Sequence, residues 1–170
     1  MEGFKEISVF ELQKTPFEMV GKDWMLISAV HGSRVNMMTA SWGGLGVMWN
    51  KNVAFAVIRP QRFTKTLVDS EDKFTLSFYS EEYRKMLNYC GSASGKDEDK
   101  VKGANLTPVF SDGTVSFAES EVTLVCKKLF AQELAESAFI DKGIISKMYP
   151  GEDFHTLYIA EIEKVYVKNA

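Results

Sequence analysis

Apolar and polar positions along this chain group into short stretches with strand-like spacing. Trp24 to His31 is strongly apolar and predicts a buried strand. Gly32-Ser33-Arg34 then predicts a turn, and Asn36 to Trp42 the returning partner. Val53 to Ile58 predicts another buried strand, ended by Pro60. Phe74 to Tyr79 alternates with period two. Val122 to Leu134 and His155 to Val167 are two long β-rich segments, and Phe4 to Phe10 is a shorter one. Helical signals are brief. Thr15 and Pro16 suit the cap and first position of a turn, and Thr64 to Glu71 reads as a helix capped by Thr64. Over Glu81 to Cys90, the residues Tyr83, Met86, Leu87 and Cys90 share one helical face. Ser94 to Gly103 reads as loop followed by a short helix, and Ser137 to Met148 as a short helix or irregular insertion. Gly43-Gly44-Leu45-Gly46 predicts a break in regular structure. Strands separated by short helices, without regular βα alternation, predict a closed or partly closed β-barrel with helical plugs.

The length, 170 residues, suits a single domain over 1–170, and 45% apolar residues suit an ordinary globular protein. Area scaling allows roughly 70% of the chain's surface to be buried, enough for one core without staples. Twenty basic against 23 acidic residues, a net charge of −3, argue against broad nucleic-acid binding. The longest strongly apolar run is Val53 to Ile58, far short of the ~20 residues of a membrane span. Met1 to Glu6 has no basic stretch leading into an apolar one, so a cytoplasmic protein is expected. Cys90 and Cys126 are expected to be free thiols, with Cys90 packed and inert. Asn105-Leu106-Thr107 is read as a chance glycosylation triplet.

Several familiar constellations fail on spacing. Gly91-Ser92-Ala93-Ser94-Gly95-Lys96 has too short a gap for a phosphate-binding P-loop, and Asp97 stands where Ser or Thr would hold magnesium. Trp49 stands where a dinucleotide fingerprint needs its third glycine. His31 and His155 are far apart, as are the cysteines, so no metal-ligand spacing is present. No Gly-x-Ser-x-Gly elbow occurs.

Three segments carry positive signals. In Arg59-Pro60-Gln61-Arg62-Phe63-Thr64, two of the chain's four arginines meet a strand-to-helix junction. Guanidinium groups beside a helix N-terminus suit a phosphate, although a solvated basic turn has the same composition. Cys90 to Lys100 offers Gly and Ser donors, with Lys96 and Lys100 four apart, and reads as an anion loop or a plain surface loop. Asn36 to Gly44 places small hydroxyl residues beside glycine, so a planar ligand can approach the backbone. Trp42 there either stacks on it or packs.

Together, Asn36-Met37-Met38-Thr39-Ala40-Ser41-Trp42, Arg59 to Thr64, Gly91 to Lys100 and His155-Thr156-Leu157-Tyr158-Ile159-Ala160-Glu161-Ile162 resemble motifs of the flavin reductase-like family. These are FMN-binding split barrels that include the flavoredoxins. The order of the motifs matches, with Lys96 where many relatives carry Arg and Ala160 where Gly is usual. The resemblance implies a mainly β fold, a six-stranded Greek-key split barrel with short flanking helices. It implies a homodimer holding FMN non-covalently, with electrons supplied by NAD(P)H or a redox protein. The expected phosphate ligands are Arg59, Arg62, Thr64, Ser94 and Lys100, the ring is expected against Thr39, Ala40, Ser41 and Trp42, and Asn36, Pro60, Gly95 and Lys96 are expected among the cofactor-binding residues. His155 is expected at the open face of the flavin as the catalytic residue, its alternative being a core or strand-surface histidine. A flavin-binding or other ligand-binding barrel without turnover, acting as a carrier, is the second reading, and a barrel kept only for oligomerisation the third.

Overall fold

The computed structural model describes residues 1–169. Ten strands are found there: β1 Phe4–Ile7, β2 Met25–His31, β3 Arg34–Ala40, β4 Gly43–Met48, β5 Lys51–Ile58, β6 Lys73–Phe78, β7 Pro108–Ser111, β8 Thr114–Phe117, β9 Val122–Glu133 and β10 Thr156–Lys168. Four short α-helices accompany them: α1 Phe63–Ser70, α2 Arg84–Ser92, α3 Lys100–Gly103 and α4 Gly143–Met148. The chain is mainly β, as expected.

All pairings are antiparallel, and the main sheet runs β3-β2-β6-β9-β10-β5-β4, with β1 added to β10. Six of these, β3 to β5 in spatial order, are the strands expected of the barrel. β6, β9 and β10 lie side by side in chain order, with the β7–β8 hairpin set off as a separate sheet between β6 and β9, and β5 crosses over to lie beside β10, which is a Greek-key connection. The two edge strands of the path, β3 and β4, are joined by only Ser41 and Trp42. The sheet therefore curls until its edges meet at those two residues, while no ladder joins β3 to β4. That is the split in the barrel. β10 is long enough to serve both β5, over Thr156 to Glu161, and β1, over Val165 to Lys168, along one edge. The barrel interior is filled by Met25, Ile27, Ala54, Ala56, Phe74 and Tyr158, among others, all fully buried. A second cluster, with Leu26, Met37, Leu87 and Phe117, fastens α2 and the β7–β8 hairpin to the outside of β2 and β3.

Three expectations are corrected. Gly43 to Gly46 is not a break but the start of β4. Gly43 lies at φ +141°, and a Cβ there would sit 2.2 Å from the Phe55 carbonyl oxygen, so the glycine permits close pairing with β5. Phe4 to Phe10 is strand only to Ile7; Ser8 and Glu11 then form a capping box on a 3₁₀ turn. Thr64 does not cap α1, which begins one residue earlier behind Arg62. The extra strands beyond six are β1, β4 and the β7–β8 hairpin. The hairpin turns at Asp112-Gly113, both at positive φ. No helix among the described residues is long and apolar enough to cross a membrane.

Candidate functional site

The barrel opens near the start of α1, where a bipartite cleft lies between β3, β5, the first turn of α1 and the loop after α2. One compartment, about 270 Å³, is walled by Asn36, Arg62, Thr64, Ser94, Gly95 and Lys100 among others. The second, about 250 Å³, is walled by Thr39, Ala40, Ser41, Trp42, Val57 and His155. Met38, Arg59 and Arg62 border both, so the two are continuous. Together they fall in the usual range for a small-ligand site, roughly 300–1,000 Å³.

Sequence-distant residues tie the first compartment together. Asn36 Nδ2 donates to Thr64 Oγ1 at 2.8 Å, both residues being buried, and this joins β3 to α1. Gly95 packs on the same amide: a Cβ at Gly95 would lie 2.2 Å from Asn36 Oδ1. Arg34, stacked over the Phe63 ring, donates to the Gly95 carbonyl at 2.7 Å and holds that loop down. Two hydroxyl donors are left over. Thr64 Oγ1 accepts from Asn36, and Ser94 Oγ accepts from the Lys96 N–H, so each hydroxyl keeps its proton free. Arg62 uses one nitrogen on the Gly91 carbonyl, at 2.6 Å. Lys100 is 4% exposed and spends two N–H bonds on the carbonyls of Met37 and Cys90, both at 2.6 Å. It forms no ion pair among the described residues. Burial accordingly pulls its pKa down. A buried ammonium without a carboxylate is costly unless an anion is brought to it.

Arg59 sits differently. It pairs with Asp153, donates to the Met148 carbonyl at 2.9 Å and lies 5.2 Å from the Tyr149 ring centroid. Gln61 bonds the same carboxylate at 2.7 Å. Arg59 thus borders the cleft while latching down the excursion that links β9 to β10. The base of that excursion is closed by the Leu134 N–H on the His155 carbonyl, at 2.9 Å.

The second compartment is flatter and less charged. β3 is an edge strand, so backbone groups on its outer side are open toward the cleft. The Thr39 hydroxyl, expected to face a ligand, is instead bonded to the Leu87 carbonyl and secures α2. Trp42 is 40% exposed and leans on His155, with ring centroids 5.1 Å apart. His155 is itself buried. Its Nδ1 lies 2.8 Å from the Tyr149 hydroxyl. Burial first, then repulsion from Arg59, lowers its pKa to about 4, against a smaller opposing pull from Asp153.

Twelve of the expected site residues line the two compartments with their side chains or backbone: Asn36, Thr39, Ala40, Ser41, Trp42, Arg59, Arg62, Thr64, Ser94, Gly95, Lys100 and His155. Pro60 and Lys96 line neither. Pro60 is exposed at its turn, and Lys96 faces a neighbouring groove with Asp97, Glu98 and Asp99. Residues missed from sequence are Tyr149 and Asp153, which hold His155 and Arg59 and lie just beyond the 137–148 stretch read as a helix or irregular insertion. The one available hint was a Tyr and an Asp just ahead of the His155 strand. Cys90, as expected, is a buried free thiol, its pKa pushed up to about 11.

Comparison with known proteins bears on this arrangement. No match is found among curated protein sequences. The FMN-binding domain of a flavin reductases-like enzyme from Shewanella baltica OS155 superposes with a TM-score of 0.69, at 15% identity, over 97% of this chain and 77% of that one. Flavoredoxin of Desulfovibrio vulgaris (Miyazaki F) gives 0.68 at 21% identity, over 97% and 78%. An FMN-binding protein from Thermus thermophilus with bound p-hydroxybenzaldehyde gives 0.67 at 18%, over 96% and 83%. Those likenesses establish a shared split-barrel fold. The sequence profile of the Flavin reductase like domain matches residues 20–170, nearly the whole barrel and every wall of the cleft, and by that match this chain belongs to the flavin reductase-like family.

Proposed function

We propose that this protein is an FMN-binding flavoprotein of the flavoredoxin type, passing electrons from NAD(P)H or a redox protein through a non-covalently held flavin. The observation that carries the reading is the polarity of the cleft along its length. One end gathers free hydroxyl donors and, among the described residues, two cations without carboxylate partners, Arg62 and Lys100. The other end is walled by Trp42, a neutral His155 and an open strand edge. A phosphate on a flat tricyclic ring has that same polarity. The Gly95 cradle supports the fit, because any side chain there would fill the space against Asn36. In this assignment Arg62, Thr64, Ser94 and Lys100 hold the phosphate, while Asn36 and Arg34 keep the loop and helix in register. Ala40, Ser41 and Trp42 lie along the ring. Bound FMN itself supplies the hydride and electron chemistry, which requires no protein acid–base pair. A neutral His155 accords with that.

We further propose a homodimer. The outer face of β4, β5, β10 and β9 carries Phe55, Ile159 and Phe130 in one cross-strand row, with Trp49 6.4 Å from Phe130. This face continues into the cleft through Val57.

The test is titration of the purified apoprotein with FMN and with riboflavin, followed by flavin fluorescence. FMN is expected to bind more tightly by about 2–4 kcal/mol, the worth of several charge-assisted hydrogen bonds. Equal dissociation constants would refute the phosphate assignment. Steady-state oxidation of NADH or NADPH by the loaded protein then separates a reductase from a carrier.

A further inference from the structure

The excursion between β9 and β10 brings one side chain against His155 that none of the site motifs contains, Tyr149. It is 4% exposed. Phe139 and Phe154 pack on its ring at centroid distances of 5.7 and 5.0 Å. The ring meets His155 edge-on, at 5.5 Å and 82°. Its hydroxyl has one hydrogen-bond partner among the described residues, His155 Nδ1.

The direction of that bond follows from counting protons. If Nδ1–H donated, the buried phenol proton would have no acceptor, a loss of about 1–3 kcal/mol. If the phenol donates, its proton and the Nδ1 lone pair are both paired, and only the Nε2 edge is left over. A neutral imidazole carries one N–H, so its proton then lies on Nε2. The charged and titratable groups facing the ring are Arg59, Arg62 and Asp153, besides Tyr149 itself, and on balance they and burial keep the imidazole neutral.

We propose that Tyr149 is a positioning residue: by donating to Nδ1 it fixes His155 as the neutral Nε2–H form and leaves that single donor to meet a molecule in the cleft beside Trp42. The atom His155 recognises is therefore a hydrogen-bond acceptor, such as a carbonyl oxygen or an unprotonated ring nitrogen. Arg59, through Asp153 and the Met148 carbonyl, keeps the excursion in place for this. The tautomer is a property of the chain alone. Only the identity of the acceptor rests on the flavin reading above.

Long-range ¹H–¹⁵N spectra of the imidazole groups, on the full chain near pH 7 without added flavin, read the tautomer directly. For His155 the expected result is a pyridine-type Nδ1 and a protonated Nε2. Tyr149→Phe keeps the ring packing and is expected to give a mixture of both tautomers. FMN affinity of that variant should fall about tenfold, equivalent to one hydrogen bond. A wild-type His155 protonated on Nδ1, or on both nitrogens, overturns the proposal whether or not the variant folds. An unchanged tautomer in a folded Tyr149→Phe also overturns it. The expected tautomer in a wild-type protein that fails to bind FMN would count against the flavin reading and leave the role of Tyr149 standing.

Discussion

Arg59 and Arg62 stand three positions apart and do different work. Arg59 is committed to Asp153 and the Met148 carbonyl, whereas Arg62 has a single hydrogen-bond partner among the described residues, the Gly91 carbonyl. Arg59→Ala should therefore lower the melting temperature of the apoprotein and speed proteolysis within residues 135–154. Arg62→Ala should leave apo stability nearly unchanged and weaken FMN by about 1.5–3 kcal/mol, with riboflavin little affected. Equal loss for both ligands in Arg62→Ala would remove it from the phosphate site. His155 gives a pH signature. Its folded pKa of about 4 lies below the unfolded 6.5. Between those values the unfolded chain binds the extra proton, so the stabilisation is complete above about pH 6.5 and is lost as pH falls toward 4. The loss amounts to about 3 kcal/mol at most. Urea unfolding from pH 7 to 4 should show a shallower decline for His155→Gln than for the wild type; parallel curves would contradict the buried neutral state.

At the scale of elements, Gly95 is the sharpest test of how the loop after α2 meets β3 and α1. Gly95→Ala should push the Asn36 amide off Thr64, cost about 1–3 kcal/mol and impair FMN binding. A fully stable variant that binds FMN normally would show that the close approach is unimportant. The strands β2, β3, β5, β6, β9 and β10 were legible because each buries a face and so carries a long apolar signal. β4 was not, since its glycines are there to admit Phe55 and its carbonyl, a reason that lies on another strand. The β7–β8 hairpin was not legible either: Asp112-Gly113 is a hairpin-turn pair, but its strands are only four residues long and weakly patterned. In the site, residue types pointed to Arg62, Ser94 and Lys100 through local motifs. They did not separate Arg59 from Arg62, because the difference is Asp153, some ninety positions away in sequence and brought near only by the excursion. Lys96 and Pro60 sat inside the right motifs yet outside the cleft, as neighbours in a turn point in different directions.

For the whole molecule, the accessible surface of 9073 Å² exceeds the roughly 8,400 Å² expected of a monomer of this mass. Trp49 and Phe130 contribute to it at 52% and 38% exposure. Sedimentation velocity should find a dimer, and Phe130→Asp with Trp49→Asp should yield a folded species of 19.1 kDa. A wild-type monomer that binds FMN tightly would count against the dimer. The closure of the β9–β10 excursion by the Leu134 N–H on the His155 carbonyl has an evolutionary reading. To the barrel, the whole excursion is equivalent to a hairpin turn, since the ladder resumes at Thr156 with Glu133 as if nothing intervened. Loop closure penalises added length only weakly, by about 0.6 kcal/mol per doubling. A segment inserted there is therefore an exchangeable cassette. Splicing a short turn in its place should leave a folded barrel whose cleft has lost Tyr149 and Asp153, and transplanting a different segment offers a route to altered partner choice without redesigning a single strand.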